Sequence, residues 1–152
     1  MAALKKSKEE GFLQKKEKLR KRNIGFGEPT QGDKNQSMQK INEEEEKEKK
    51  AISYIQKGKL NEAEEIYREL VSIGSKNHVV YENLAVLCLR KGETDEMIKL
   101  FKIALQIEPN IPKAHINIGS ALQSKNDLVT AITSYKEAIK LKPDYVDAHY
   151  NL

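Results

Sequence analysis

The chain has 152 residues, 38% of them hydrophobic and 33% charged, with no Trp, one Cys and a net charge of +4. Its length permits about one domain, and an apolar share this low beside a charged share this high means either a thin core or a segment without one. A lone Cys88 excludes an internal disulfide, three isolated His offer no zinc-ligand spacing, and no apolar run approaches a membrane span or a secretory signal core. A cytoplasmic protein is the expectation.

The first segment is unlike the rest. Residues 1–43 carry 11 Lys and Arg against 6 Asp and Glu, whereas residues 44–152 carry 16 against 17, so the basic balance belongs to the leader. Nine of its basic residues lie between Lys5 and Arg22, where the only acids are Glu9, Glu10 and Glu17. So few apolar side chains cannot offset the entropy of ordering, and residues 1–43 are expected to be a disordered basic leader and linker. Gly25, Gly27, Pro29 and Gly32 add linker chemistry. A Lys-rich arm is a possible contact for nucleic acid or an anionic membrane, but interleaved aromatics are missing and the glutamates dilute the field. A solvated leader is the simpler reading.

From residue 44 the sequence repeats itself at intervals of 34. Leu84, Ile118 and Leu152 share a column, preceded by Asn83, Asn117 and Asn151. Ala63, Met97 and Ala131 share another, as do Tyr67, Phe101 and Tyr135, then Leu70, Ala104 and Ala138. Pro109 and Pro143 close their copies where the first has Ser75. The units are 44–77, 78–111 and 112–145, followed by the start of an interrupted fourth at 146–152. Each reads as two helices. In the third, Ala114, Ile118, Ala121 and Leu122 recur at helical spacing, Asn126 and Asp127 make the turn, and Leu128, Ala131, Ile132, Tyr135, Ala138 and Ile139 form a second stripe. Pro112 suits a first helical turn, and Gly92 suits the turn of the second copy. The first copy opens on the glutamate run 43–46, a solvated helix start, and its first helix is polar for two turns, as an end cap would be.

This period and pattern resemble the tetratricopeptide repeat, over residues 44–152. The signature residues stand in the third copy as His115, Ile118, Gly119, Leu122, Ala131, Tyr135, Ala138 and Pro143, and in the second as Tyr81, Leu84, Ala85, Cys88, Met97, Phe101, Ala104 and Pro109. The first copy keeps the second-helix signature best. The resemblance implies an all-α fold, a right-handed superhelical solenoid of antiparallel helix pairs behind the leader. It also implies that the first helices line an inner groove.

An Asn amide both donates and accepts, so a column of Asn83, Asn117 and Asn151 could pair with the backbone of an extended peptide without reading its side chains. This is similar to the asparagine ladder of O-linked N-acetylglucosamine transferases. The competing reading is that Asn is simply a tolerated polar residue before the Leu-Gly pair. The remaining groove candidates are Glu82, Val86, Leu89, Arg90, Lys113, Ile116, Ser120 and Gln123, which suit a peptide of mixed polarity. The carboxylate clamp of related domains that bind chaperone C-termini is incomplete: Asn83 and Lys113 fit, but Glu48 and Ile52 stand at the first-repeat positions and Asn117 replaces an Arg.

His115 and His149 share a column usually held by a large residue and are expected to pack. Cys88 is expected to be a buried, unreactive small hydrophobe, and Tyr54, Tyr67 and Tyr135 to lie in packing stripes. No phosphate loop, nucleophile elbow or metal motif occurs, so no catalytic residue, metal or cofactor is assigned. The sequence therefore points to a non-enzymatic module whose partner is a protein or an extended peptide. An alternative is the recruiting segment of a longer or truncated glycosyltransferase- or sulfotransferase-type protein, because residues 146–152 open a fourth repeat and leave the preceding face uncapped. That face could also support self-association.

Overall fold

The computed structural model describes residues 31–151. The expectations for the arm between Lys5 and Arg22 and for the glycines before Pro29 lie outside the described residues. Among the described residues seven helices follow one another: α1 (Gln31–Gln56), α2 (Leu60–Ser72), α3 (His78–Lys91), α4 (Thr94–Ile107), α5 (Pro112–Ser124), α6 (Leu128–Leu141) and α7 (Val146–Asn151). No strand occurs among the described residues. The chain divides into two units, residues 1–41 and 42–152.

In the described part of the first unit, residues 31–41, the helical backbone was not expected from the sequence. Residues 31–43 were assigned to the linker, yet α1 begins at Gln31. All of residues 31–41 are exposed, Met38 and Ile41 included, so burial does not hold them helical. Past Gly32 the segment has no further Gly or Pro, and Lys34, Gln36, Met38, Gln39 and Lys40 are good helix formers. Ser37 also turns its hydroxyl back onto the Asp33 carbonyl, 2.8 Å away.

The second unit is a solenoid of antiparallel helix pairs. Packing is most extensive between α3 and α4 and between α5 and α6, while α2 on α3 and α4 on α5 join one pair to the next. The 34-residue columns are the buried positions of this stack. Tyr67, Phe101 and Tyr135 are almost wholly buried, as are Ala63, Met97 and Ala131, and Leu70, Ala104 and Ala138. One apolar cluster runs from Ala51 to Ala121, and a second holds Ile116, Ala131, Tyr135, Ala138 and Ala148. Small residues at the crossings let helix ridges approach closely, and the aromatic fills the remaining space.

The turns repeat with the same period. Gly58, Gly92 and Asn126 adopt left-handed backbone with φ of 73, 79 and 63°. After each, a backbone N–H reaches back into the helix just ended: Lys59 to Tyr54, Glu93 to Cys88 and Asp127 to Leu122, at 2.8 to 2.9 Å. Asn replaces Gly at the third because its short polar side chain tolerates this region. Gly74, with φ of 72°, ends α2 in the same manner, where the other two second helices run into Pro109 and Pro143.

The stripe on α6 is more exposed than its counterpart on α4. Ile98 of α4 is 9% exposed under α5, but its counterpart Ile132 is 40% exposed, and Leu128 is 51% exposed. The described part of the next helix, α7, is only six residues long and covers less of α6.

Gly119 marks the tightest crossing. A Cβ there would stand 2.6 Å from Cε1 and 2.9 Å from Cδ1 of the Tyr135 ring. Because that ring is 1% exposed, it has little room to retreat. Gly119→Ala is expected to destabilise the chain by about 1–3 kcal/mol through overpacking, read as a lower urea midpoint. A variant at least as stable as the wild type would show that the crossing is looser than described.

Candidate functional site

The first helices α3 and α5 carry most of the groove candidates. Leu89, Arg90, Lys113 and Gln123 are exposed, and Glu82, Asn83, Val86, Asn117 and Ser120 are half-buried. Ile116 is the exception. It is 8% exposed and belongs to the second apolar cluster with Tyr135 and Ala148, so its place is in the packing of α5 with α6 and α7. Its neighbours there are Ala131, Tyr135 and Ala138 of its own unit together with Ala148 of the next.

The polar candidates are unequally engaged. Asn83 donates its side-chain amide to the Tyr67 hydroxyl at 3.0 Å. Tyr67 has no exposure, and a buried phenol needs a partner, which Asn83 supplies across the junction between α2 and α3. The Tyr135 hydroxyl lies 3.2 Å from Ser120 Oγ and donates to Gln123 Oε1 at 3.0 Å, so it engages two groove candidates of its own helix pair. Asn151 donates to the Asp147 carbonyl at 2.8 Å within α7. Asn117 has no hydrogen-bond partner among the described residues, and no buried side-chain nitrogen or oxygen goes unpaired there, so its amide reaches solvent. Arg90 and Lys113 form no ion pair among the described residues either.

At the end of the groove nearest α1, Asn77 caps α3. Its carbonyl accepts the Val79 N–H at 3.0 Å, while its amide donates to Glu48 at 2.8 Å. Glu82 lies 3.5 Å from His78 one turn back. Glu48 and the exposed Ile52 stand where the clamp of related domains would need Lys and Asn. The geometry keeps this end acidic and apolar.

A second polar cluster joins α2 to the end of α3. Glu64 is 7% exposed and accepts from Arg68 Nε at 2.9 Å and from Lys91, while Arg68 also reaches Glu93 at 3.3 Å. Lys91, with Arg68, holds the Glu64 carboxyl below its ordinary value of 4.5. A buried carboxylate is tolerated because it is paired twice. Cys88 lies beside this cluster, and burial, with the Glu93 carboxylate, pushes its thiol up to about 11. It is a packing residue with no thiolate to offer at neutral pH.

The two histidines expected to pack behave differently. His115 is half-buried, and burial lowers it below its ordinary 6.5 against an opposing pull from Glu137. His149 is instead exposed, with Nε2 2.7 Å from the Pro143 carbonyl, so it closes the turn into α7 and does not fill a core. No cluster of three or more His, Cys, Asp or Glu suited to a metal occurs among the described residues. No helix among them is long and apolar enough to cross a membrane.

A stack of like helix pairs with a polar inner surface defines the class: an α-helical repeat solenoid. Family models described as tetratricopeptide repeat match residues 48–77 and 80–113, and one described as TPR repeat matches 119–152. The chain belongs to the tetratricopeptide repeat (TPR) family. Solved structures agree in fold. The first TPR of Spaghetti (RPAP3), bound to the HSP90 peptide SRMEEVD, superposes with a TM-score of 0.65 at 22% identity, covering 72% of this chain and 86% of that one. MamA gives 0.67 at 20% identity over 80% of each chain. The second TPR domain of human RPAP3, in complex with the HSP70 peptide SGPTIEEVD, gives 0.63 at 21% identity over 70% and 88%. No curated protein matches the sequence.

Because the folded-state pKa of His115 lies below its ordinary 6.5, the unfolded chain takes up that proton first. Its contribution to stability is complete above 6.5 and is lost as the pH falls through the folded value. Unfolding free energy measured by urea on either side of 6.5 should therefore drop on acidification, and His115→Phe should flatten that drop. The same slope in wild type and variant would contradict the assignment to His115.

Proposed function

We propose that this chain is a non-enzymatic protein-interaction module that holds an extended peptide along the surface formed by α1, α3 and α5. The observation that carries the reading is the row of solvent-reaching groups on those helices. Leu89 and Ile52 offer apolar area, Glu48 and Glu82 are half-buried carboxylates engaged by Asn77 and His78, and Arg90 and Lys113 are cations with no ion pair among the described residues. A rigid helical scaffold that displays hydrogen-bonding, charged and apolar groups in a row suits an extended ligand, whose own ordering cost is then the main one to overcome.

The RPAP3 domains hold acidic peptides ending in Glu-Glu-Val-Asp. Here the groove supports a different preference. Glu48 and Glu82 repel such a terminus at one end, and Asn117 lacks the charge of an Arg. Mixed polarity fits better: a basic or polar residue near Glu82, an apolar one over Leu89, and an acidic one near Arg90 or Lys113. The units 44–77, 78–111 and 112–145 then act as three successive binding segments of one surface.

Selecting a random-sequence peptide library against the chain tests this. Peptides that bind should perturb the backbone amide resonances of α3 and α5, and Leu89→Asp should weaken the selected peptide by about tenfold or more, as loss of a buried apolar anchor does. Perturbations confined to α4 and α6, or a library that yields no binder, would overturn the reading.

A further inference from the structure

The aromatic column and the asparagine column are linked in a manner that neither shows alone. Sixteen residues separate Tyr67 from Asn83, Phe101 from Asn117, and Tyr135 from Asn151, so in sequence each ring precedes the asparagine of the following unit by the same interval. At the first junction the ring carries a hydroxyl, which takes an amide N–H of Asn83 at 3.0 Å. At the second junction the ring is Phe101, 1% exposed and without a hydroxyl, and Asn117 is left with no partner among the described residues. At the third, the Tyr135 hydroxyl is directed to Ser120 and Gln123, and Asn151 turns back onto its own helix.

We infer that the presence or absence of a hydroxyl on the buried aromatic selects which asparagine can grip a peptide backbone, and that Phe101 makes Asn117 the principal grip in this chain. An amide presents two N–H donors and one carbonyl acceptor. Pairing with the N–H and C=O of an extended backbone uses one donor and the acceptor, in an orientation free to adjust to the ligand. Tyr67 spends one donor of Asn83 and fixes the plane of its amide. Breaking that bond to reorient Asn83 would leave a buried phenol unsatisfied, at a cost comparable to what the new bond gains. Asn117 carries no such cost. Tyr67 and Phe101 are therefore positioning residues: neither touches the peptide, and each acts through the asparagine beside it.

The inference rests on the peptide-groove reading above, and two single-atom substitutions test it. Phe101→Tyr supplies the missing hydroxyl and should quench Asn117, weakening a library-selected peptide by about threefold to tenfold, the value of one hydrogen bond. Tyr67→Phe releases Asn83 and should leave affinity unchanged or raise it by a similar factor. Asn117→Ala should weaken binding about as much as Phe101→Tyr, and adding Phe101→Tyr to it should cost little more. A general loss of stability would weaken binding in both aromatic variants, so this asymmetry separates selection of the grip from a merely structural effect. Equal affinity of wild type, Phe101→Tyr and Asn117→Ala overturns the inference and leaves the groove standing. Failure of the library to yield any binder overturns the groove reading and this inference with it.

Discussion

The insertion of one aromatic ring per second helix against a small residue of the paired first helix is the contact on which the stack depends. At Tyr135 the ring lies so near Gly119 that no Cβ fits between them, and at Tyr67 and Phe101 the opposing column holds Ala51 and Ala85. The ring sets how closely two helices approach and presents its far edge to the next unit. Each helix pair leaves an apolar face that only its neighbour can cover, so stability is shared along the stack as a sum of adjacent interfaces. Within one column Ile98 is 9% exposed and Ile132 40% exposed.

The same ring also connects core to surface. Where it is tyrosine, its hydroxyl emerges at the edge of the packed layer and must find a polar partner, and the partners within reach are groove residues: Asn83 in one case, Ser120 and Gln123 in another. Where it is phenylalanine, nothing is demanded of the groove. A choice made for packing thereby determines whether a neighbouring polar side chain is engaged, as Asn83 is by Tyr67, or left without a partner among the described residues, as Asn117 is beside Phe101. The junction between α2 and α3 carries a further constraint, since Glu64 is buried at a position that is Ile98 and Ile132 in the later units and depends on Lys91 and Arg68 for its charge. That junction is thus held by polar pairing where the next is held by apolar contact.

The helix-pair architecture was legible because burial imposes identity at fixed intervals. Tyr67, Phe101 and Tyr135, the small residues opposite them and the left-handed turn residues Gly58, Gly92 and Asn126 recur at 34 residues for steric reasons that a single sequence displays. The start of α1 was not legible: 31–43 lack any buried stripe, and helix propensity without periodicity reads the same as a polar linker. Ile116 is buried in the cluster with Ala131, Tyr135, Ala138 and Ala148, which helical spacing along α5 alone does not display. The asparagine column was visible, but its unequal chemistry was not, since the deciding hydroxyl lies sixteen residues upstream in a different helix pair. His149 shares its column with His115 in sequence only; it is exposed, with its ring against the Pro143 carbonyl.

The central claim is that the Tyr67 hydroxyl engages Asn83 while Phe101, which has none, leaves the Asn117 amide without a partner among the described residues. Side-chain amide hydrogen exchange, followed by NMR on the ligand-free chain, addresses it most directly. The account predicts one Asn83 amide proton protected by the Tyr67 hydroxyl, with both Asn117 protons exchanging as freely as those of a solvated asparagine. Equal exchange at Asn83 and Asn117 would contradict it.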